Sequence, residues 1–180
     1  MNTSYIGQME KIIKSSNSQK HYMLVDAVEY AQAKQQKWWR SNLIVQSGEQ
    51  ELGLLKKDTF WKWSFSFWKG DENLFSIQPK WKGDIELKTA DGNVWKLIKK
   101  GASDNKIMLI NAEGLEVLVM EKQGKWWQSR PYKVTLEDKE NLPIQDEVLP
   151  LVIVSALGLL SQRFVWIIVV VMFANILTNQ

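Results

Sequence analysis

The stretch VLPLVIVSALGLLSQRFVWIIVVVMFANIL, residues 148–177, limits how the rest of the chain can fold. Of its 30 residues 23 are apolar, and Arg163 is its single charged residue. Arg163 separates uncharged runs of 15 residues (148–162) and 17 residues (164–180), whereas a membrane-spanning helix needs about 20. An Arg at the bilayer centre costs roughly 2.5–3.5 kcal/mol, which about ten apolar neighbours can offset. The stretch therefore belongs either inside a membrane or inside the protein.

The first half of this stretch has the features of a helix enclosed by protein. It is hydrophobic on every side, so it must be surrounded by protein or lipid. Asp146 and Glu147 precede it, where carboxylates favour a helix N-terminus, and Pro150 is tolerated only in a first turn. We therefore predict a hydrophobic core helix over residues 148–163. Its core side chains are Leu151, Val152, Val154, Leu157, Leu159 and Leu160.

The second half, residues 164–180, is an apolar C-terminal extension that allows two interpretations. Val165 and residues 167–171 are β-branched. In water this composition favours a buried strand, whereas in lipid it is compatible with a helix. The extension is either inserted in a membrane or packed on the body of the protein, and the sequence leaves both alternatives open.

The composition argues against several classes of site. The chain contains no Cys and a single histidine, His21, for which the sequence nominates no catalytic partner. We expect His21 to be a polar residue at a strand end, and we predict neither enzymatic activity nor a metal or cofactor. The net charge of +3 is too small to indicate nucleic acid as a partner. Residues 1–20 lack an apolar secretion signal, and the positive charges nearest the apolar stretch all precede it, which favours a cytoplasmic body that associates with membranes through its C-terminus.

The chain before residue 148 has the patterning of short β-strands. In Thr59–Trp68 aromatic residues alternate with Lys and Ser, which indicates a strand with one buried face. Two similar segments carry Ala90-Asp91-Gly92 and Ala112-Glu113-Gly114 between apolar runs, and each predicts a hairpin turn. Ala27–Lys37 has the composition of a short helix or a structured loop. About ten short strands predict an antiparallel barrel or sandwich.

These elements divide the chain into four parts. We predict a polar N-terminal segment over residues 1–20 and an antiparallel β-barrel over residues 21–147. The core helix over residues 148–163 and the apolar extension over residues 164–180 follow. A barrel of ten to twelve strands has an interior that needs filling, and the apolar helix is suited to fill it.

Exposed aromatic and basic side chains are the candidate contacts for a ligand or a lipid. Trp pairs place one ring on each face of a strand, and an outer ring beside a cation can stack on a ligand or lie at a lipid interface. The alternative is ordinary packing, with the lysines on the solvated face of a sheet. Arg163 either ends the core helix at the rim of the barrel or pairs with a lipid phosphate. The candidate residues are Trp38, Arg40, Trp126, Lys96, Lys99, Lys100 and Arg163.

The two hairpins, the strand Tyr132–Leu136 and the helix that follows resemble the tubby-like superfamily, which includes phospholipid scramblases and LURP-one-related proteins. The resemblance covers residues 38–163, and the extension 164–180 departs from it. It implies a barrel of about twelve antiparallel strands around a C-terminal hydrophobic helix. It also implies a non-enzymatic role at membranes, such as lipid binding or scaffolding, with phospholipid as the partner.

Two alternatives to this function stay open at the level of sequence. One is a β-domain held on a membrane by a plain C-terminal tail anchor, with a protein partner. The other is a carrier that holds an apolar small molecule in an open barrel. Removal of the apolar stretch distinguishes the lipid-binding or scaffold module from the tail-anchored domain. The rest of the chain should unfold without the stretch in the first case and stay folded in the second.

Overall fold

A computed structural model of the protein describes residues 10–17, 20–35, 42–58, 64–80, 84–100, 105–124, 131–144 and 146–161. These residues form twelve β-strands and one helix. The strands are β1 (Lys11–Asn17), β2 (Lys20–Val25), β3 (Val28–Gln35), β4 (Leu43–Ser47), β5 (Gln50–Lys57), β6 (Phe65–Lys69), β7 (Glu72–Pro79), β8 (Ile85–Thr89), β9 (Val94–Lys100), β10 (Lys106–Ile110), β11 (Glu116–Lys122) and β12 (Tyr132–Leu136). The helix, α1, occupies residues 149–161.

The strands form a closed barrel in which every strand pairs antiparallel with the next one in sequence. The barrel closes between β1 and β12, where Ile13 lies opposite Tyr132. Closure removes the exposed strand edges that would otherwise pair with other chains. The predicted antiparallel barrel of ten to twelve strands around a C-terminal hydrophobic helix is confirmed.

Two sequence-based assignments are corrected by the strand pairing. The barrel begins at Lys11 and not at residue 21, because β1 lies inside the predicted polar N-terminal segment and pairs with both β2 and β12. Ala27–Lys37 was expected to be a helix or a loop, but β3 occupies Val28–Gln35. Its neighbours β2 and β4 supply hydrogen bonds on both sides, and this tertiary context overrides the composition.

The two predicted hairpins are present as β8–β9 and β10–β11. Gly92 and Gly114 have φ angles of +93° and +86°, a left-handed conformation that a residue with a side chain rarely adopts. Their amides donate to the carbonyl oxygens of Thr89 and Asn111, which closes each turn. The glycines therefore determine where each hairpin reverses.

One hydrophobic core fills the inside of the barrel. Alternate residues of the strands point inward, as in β6, where Phe65 and Phe67 are fully buried. The rings of Phe67 and Phe75 lie with centroids 5.4 Å apart across β6 and β7. The fully buried strand side chains with the largest volumes are Ile13, Met23, Leu43, Leu55, Phe65, Phe67, Phe75, Ile77, Leu87, Met108, Leu109 and Leu118.

Helix α1 belongs to the same core. Its side chains are buried on all sides of its first turns, since residues 148–157 are all buried. They form one continuous cluster with the inward residues of the strands, so the helix lies within the barrel. Barrels of eight strands are filled by their own side chains, whereas those of sixteen or more leave a channel. Twelve strands leave an intermediate space, and α1 fills it.

The connections between strands differ at the two ends of the barrel. At one end, which we call the turn end, tight reversals of two to five residues follow the even-numbered strands from β2 to β10. The chain leaves β12 at this end and reaches α1 through residues 137–148. We call the opposite end the loop end. Because α1 starts at the turn end and its residues 149–157 are buried in the barrel, it runs toward the loop end.

The extension 164–180 lies outside the described residues. Within the described part of the chain, no helix is both long enough and apolar enough to cross a membrane.

Candidate functional site at the loop end

The C-terminal end of β9 brings two of the predicted contact residues to the loop end. Lys99 and Lys100 are the last residues of this strand, and both are exposed. Lys100 lies directly opposite Lys106 of β10. Like charges at opposite positions of an antiparallel pair repel each other, so this arrangement favours a nearby anion. The loop end therefore carries a concentrated positive charge on its β9–β10 side.

The ion pairs compensate this charge only in part. Lys106 Nζ lies 3.8 Å from a carboxylate oxygen of Glu116, and both side chains are about 40% exposed. Lys96 and Lys100 make no ion pair with any carboxylate in the described part of the chain. Lys96 lies four residues before Lys100 on the same outer face, opposite Glu86 of β8. Lys96 and Lys100 are thus two cations of this face that make no ion pair within the described residues.

The other predicted contacts, Trp38, Arg40, Trp126 and Arg163, lie outside the described residues. The strands next to them nevertheless have defined positions. Strands β3 and β11 both end at the loop end, and the chain continues from them into residues 36–41 and 125–130. Helix α1 runs toward the same end, and its last residue, Ser161, precedes Arg163 by two positions in the sequence. The last described residues before these four, at the ends of β3, β11 and α1, therefore lie at the end of the barrel that carries Lys99 and Lys100.

The turn end has a different character, because ion pairs hold the start of α1 there. Asp146 Oδ2 accepts a hydrogen bond from Lys69 Nζ at 3.3 Å, and Glu147 lies 3.7 Å from Lys11 Nζ. Burial, and then the negative charges of Glu147 and Asp146, raise the pKa of Tyr30. A cavity of about 200 Å³ lies between this network and the apolar side chains of Leu136, Leu142 and Leu149. The network lies at the start of the helix, where the sequence had placed the two carboxylates, but sequence reasoning gave no indication of their partners Lys69 and Lys11.

His21 is a buried polar residue of β2. It is 3% exposed, and its Nδ1 atom lies 2.7 Å from Ser15 Oγ on β1. This hydrogen bond joins two neighbouring strands, since Ser15 and His21 lie opposite each other. Among the described residues, no group of three or more His, Asp or Glu side chains is arranged to hold a metal ion.

The comparisons with known proteins identify a related fold. No protein-family model and no curated protein matches the sequence. The X-ray structure of a protein from Arabidopsis thaliana is similar, with a TM-score of 0.53 and 10% sequence identity over 86% of this chain and 90% of that chain. At this identity the similarity concerns the fold alone. The chain therefore shares the barrel architecture of the Arabidopsis protein over most of both lengths.

Proposed function

We propose that this protein is a non-enzymatic, membrane-associated lipid-binding or scaffold module of the tubby-like and scramblase-like type, and that its loop end faces the lipid. The observation that carries the proposal is that exposed Lys99 and Lys100 lie at the end of the barrel toward which α1 runs, and the apolar extension 164–180 follows α1 in the sequence.

Electrostatics supports the loop end as the membrane-facing side. Anionic lipids attract each Lys or Arg near the surface by about 1 kcal/mol, and the attraction falls off within a Debye length. Lys100 lacks an ion pair with a described carboxylate, so its charge is available for a phosphate group. The connections that continue from β3 and β11 contain Trp-Trp pairs in their sequences, and Trp is the residue type enriched at membrane interfaces.

The filled interior favours this function over the two alternatives. An open barrel that carries an apolar molecule needs internal space, which α1 occupies with Leu151, Val152 and Ile153, all fully buried. A plain tail anchor needs a segment without a structural role, whereas residues 148–160 are part of the core. The architecture of a barrel around a helix is the one that the tubby-like resemblance implies, which supports a role of that type.

Binding to lipid vesicles tests this function. We expect the full-length protein to float with vesicles of phosphatidylcholine containing anionic phosphatidylserine, and to bind less well as ionic strength rises. Reversal of one charge in Lys100→Glu changes the local charge by two and is expected to weaken binding about 30-fold. The matched control is Lys88→Glu, because Lys88 is an exposed lysine of β8 near the turn end.

Two results contradict the proposal. One is the absence of binding to anionic vesicles by the full-length protein. The other is an equal loss of binding in Lys88→Glu and Lys100→Glu, which means that net charge and not the loop end determines the affinity.

A further inference from the structure

A polar groove of about 430 Å³ lies on the outer face of β5, β6 and β7, away from the helix-filled interior. The strand register explains which side chains line it. Ser66 of β6 points away from the buried Phe65 and Phe67, and it lies opposite Lys56 of β5 and Ser76 of β7. The lining residues are Lys56, Lys57, Asp58, Ser66, Trp68, Asn73, Ser76 and Gln78.

The end of the groove toward the loop end is organised around Asp58. The hydroxyl groups of Ser64 and Ser66 each donate a hydrogen bond to its carboxylate. Both serines are 5% exposed, although they lie on the outer face of a single-layered sheet. The amide of Asp58 also donates to the carbonyl oxygen of Ser64 at 3.1 Å. A carboxylate held by two recessed hydroxyl groups is preorganised to accept further hydrogen bonds.

The other end of the groove combines an aromatic ring with an unsatisfied acceptor. Lys56 Nζ lies 4.9 Å from the centre of the Trp68 ring. Asn73 lies directly opposite Trp68, at an irregularity in the pairing of β6 and β7. Its Oδ1 atom is buried and has no hydrogen-bond partner among the described residues. A buried acceptor without a donor is unfavourable, so a donor from a ligand is favoured at this position.

The combined chemistry selects a class of ligand. The groove offers hydrogen-bond acceptors at Asp58 and Asn73, and donors at Lys56 and at Gln78, whose Nε2 already contacts Ser76 Oγ at 3.3 Å. The lining is mixed in charge, since Lys56 and Lys57 lie beside the carboxylate of Asp58, and such a polar lining favours a neutral ligand with many hydroxyl groups over a purely apolar one. A sugar ring has hydroxyl groups that both donate and accept, and apolar C–H faces that pack on an indole ring.

We propose that this groove binds a neutral sugar ring, with Trp68 as the stacking platform and with Asp58 and Asn73 as acceptors for sugar hydroxyl groups. The proposal concerns the side of the barrel and is independent of the lipid-binding function of the loop end.

Titration of the full-length protein with soluble oligosaccharides tests the proposal. The panel consists of cello-, malto-, manno- and chito-oligosaccharides, observed through backbone amide chemical shifts. We expect at least one of them to shift the amides of β5–β7 selectively. Trp68→Ala is expected to lower the association constant about tenfold or more, and Asn73→Leu about fivefold or more.

The matched control is Tyr22→Ala. Lys20 Nζ lies 5.0 Å from the centre of the Tyr22 ring, so this pair reproduces the Lys–aromatic contact on another part of the outer surface, outside the groove. Tyr22→Ala should leave the association constant unchanged. Should Trp68→Ala fail to fold, Asn73→Leu and Gln78→Ala, which change the polar lining and not the ring, give the same comparison.

Three results overturn the proposal. The first is that no oligosaccharide of the panel shifts the β5–β7 amides at millimolar concentration. The second is that the shifts persist unchanged in the groove variants. The third is that inorganic phosphate produces the same shifts as the oligosaccharides, because the groove then recognises anions.

Discussion

The carboxylate of Asp146 accepts a hydrogen bond from Lys69 Nζ at 3.3 Å, across 77 residues of sequence. Its second oxygen accepts a hydrogen bond from the amide of Val148 at 3.0 Å. One side chain therefore joins the start of the core helix to the end of β6. This is the point at which the chain enters the barrel after completing its twelve strands.

Substitution of Asp146 separates the two roles of this carboxylate. Asp146→Ala removes both the cap and the ion pair, and should lower the free energy of unfolding by about 1–2 kcal/mol. Asp146→Asn keeps an acceptor for the Val148 amide and should cost less than about 1 kcal/mol, because exposed ion pairs contribute little. Urea denaturation measures both changes. Equal losses in the two variants would show that the ion pair, and not the cap, is the important contact.

Comparison of two separate leucine-to-alanine substitutions tests the placement of the helix in the core. Leu151 of α1 is fully buried, whereas Leu115 at the turn end is 55% exposed. Leu151→Ala should lower the free energy of unfolding by about 2–5 kcal/mol, since it leaves a cavity in the barrel. Leu115→Ala removes the same atoms from a hydrated site and should cost less than about 0.5 kcal/mol. Similar losses for both, measured by urea denaturation, would contradict the enclosed position of α1.

Removal of the helix tests whether the barrel can fold alone. Nine buried Val, Leu and Ile residues lie between 148 and 160. Burial of each side chain contributes about 1.5–3 kcal/mol, so together they contribute roughly 14–27 kcal/mol, which is as large as or larger than the total stability of a typical domain, about 5–15 kcal/mol. A chain ending at residue 147 should therefore lack a cooperative thermal transition and a near-ultraviolet circular dichroism signal. A chain ending at residue 161 should retain both, and cooperative melting of the shorter chain would refute the structural role of α1.

Gly53 makes room for an aromatic ring of the core. A Cβ atom at this position would lie 2.5 Å from Cζ of Phe67 and 2.7 Å from the backbone oxygen of Trp68. Gly53→Ala should destabilise the protein by about 1–3 kcal/mol or more, because neither the ring nor the backbone can move freely. Gly48→Ala is the control, since a Cβ there meets no atom within 4 Å and only its φ of +56° is unfavourable. A thermal melt in which Gly48→Ala is the less stable variant would contradict this ranking.

The β8–β9 turn provides a prediction about pH. The hydroxyl of Thr89 donates to Asp91, and together with the backbone and side chain of Asn93 it lowers the pKa of this carboxyl group. Because the pKa of Asp91 is lower in the folded state than in the unfolded state, this carboxyl group stabilises the fold at pH values above its unfolded pKa. The contribution to the free energy of unfolding is fully present there. It is lost as the pH falls through the folded pKa. Thr89→Val should raise the pKa of Asp91 toward its usual value, as measured by NMR titration of the carboxyl carbon.

Asp138 is the internal control for this titration. Its pKa is also lowered, chiefly by a hydrogen bond from the side chain of Asn141. Thr89→Val should leave the pKa of Asp138 unchanged, since Thr89 is not among the donors to that carboxyl group. A parallel rise at both residues would show that the substitution acts on the whole fold and not on one turn.

Local sequence patterns predicted the hairpins because their determinants are local. Gly92 and Gly114 supply the conformation of each turn, and the apolar residues on both sides set the buried face. The burial of Leu151 and Val152 likewise follows from an uncharged apolar run that must leave water.

Strand β3 was missed because its residues carry little β-propensity of their own. Ala31 and Ala33 are small residues typical of helices, and they are buried because β3 lies between two neighbouring strands.

The groove was missed for a related reason. Asp58, Trp68 and Asn73 come together only through the register of three strands, and the one available signal was the alternation of Ser64 and Ser66 with Phe65 and Phe67 in the sequence.

The sequence by itself determined the strand periodicity, the turn glycines and the need to enclose residues 148–160, because these depend on the chemistry of residues close in the chain. Only the tertiary structure decided the closure between β1 and β12, the direction of the helix, the partners of Asp146 and the burial of the unsatisfied Oδ1 atom of Asn73. These features join residues far apart in sequence, and no local pattern specifies the register of strands that pair across the whole chain.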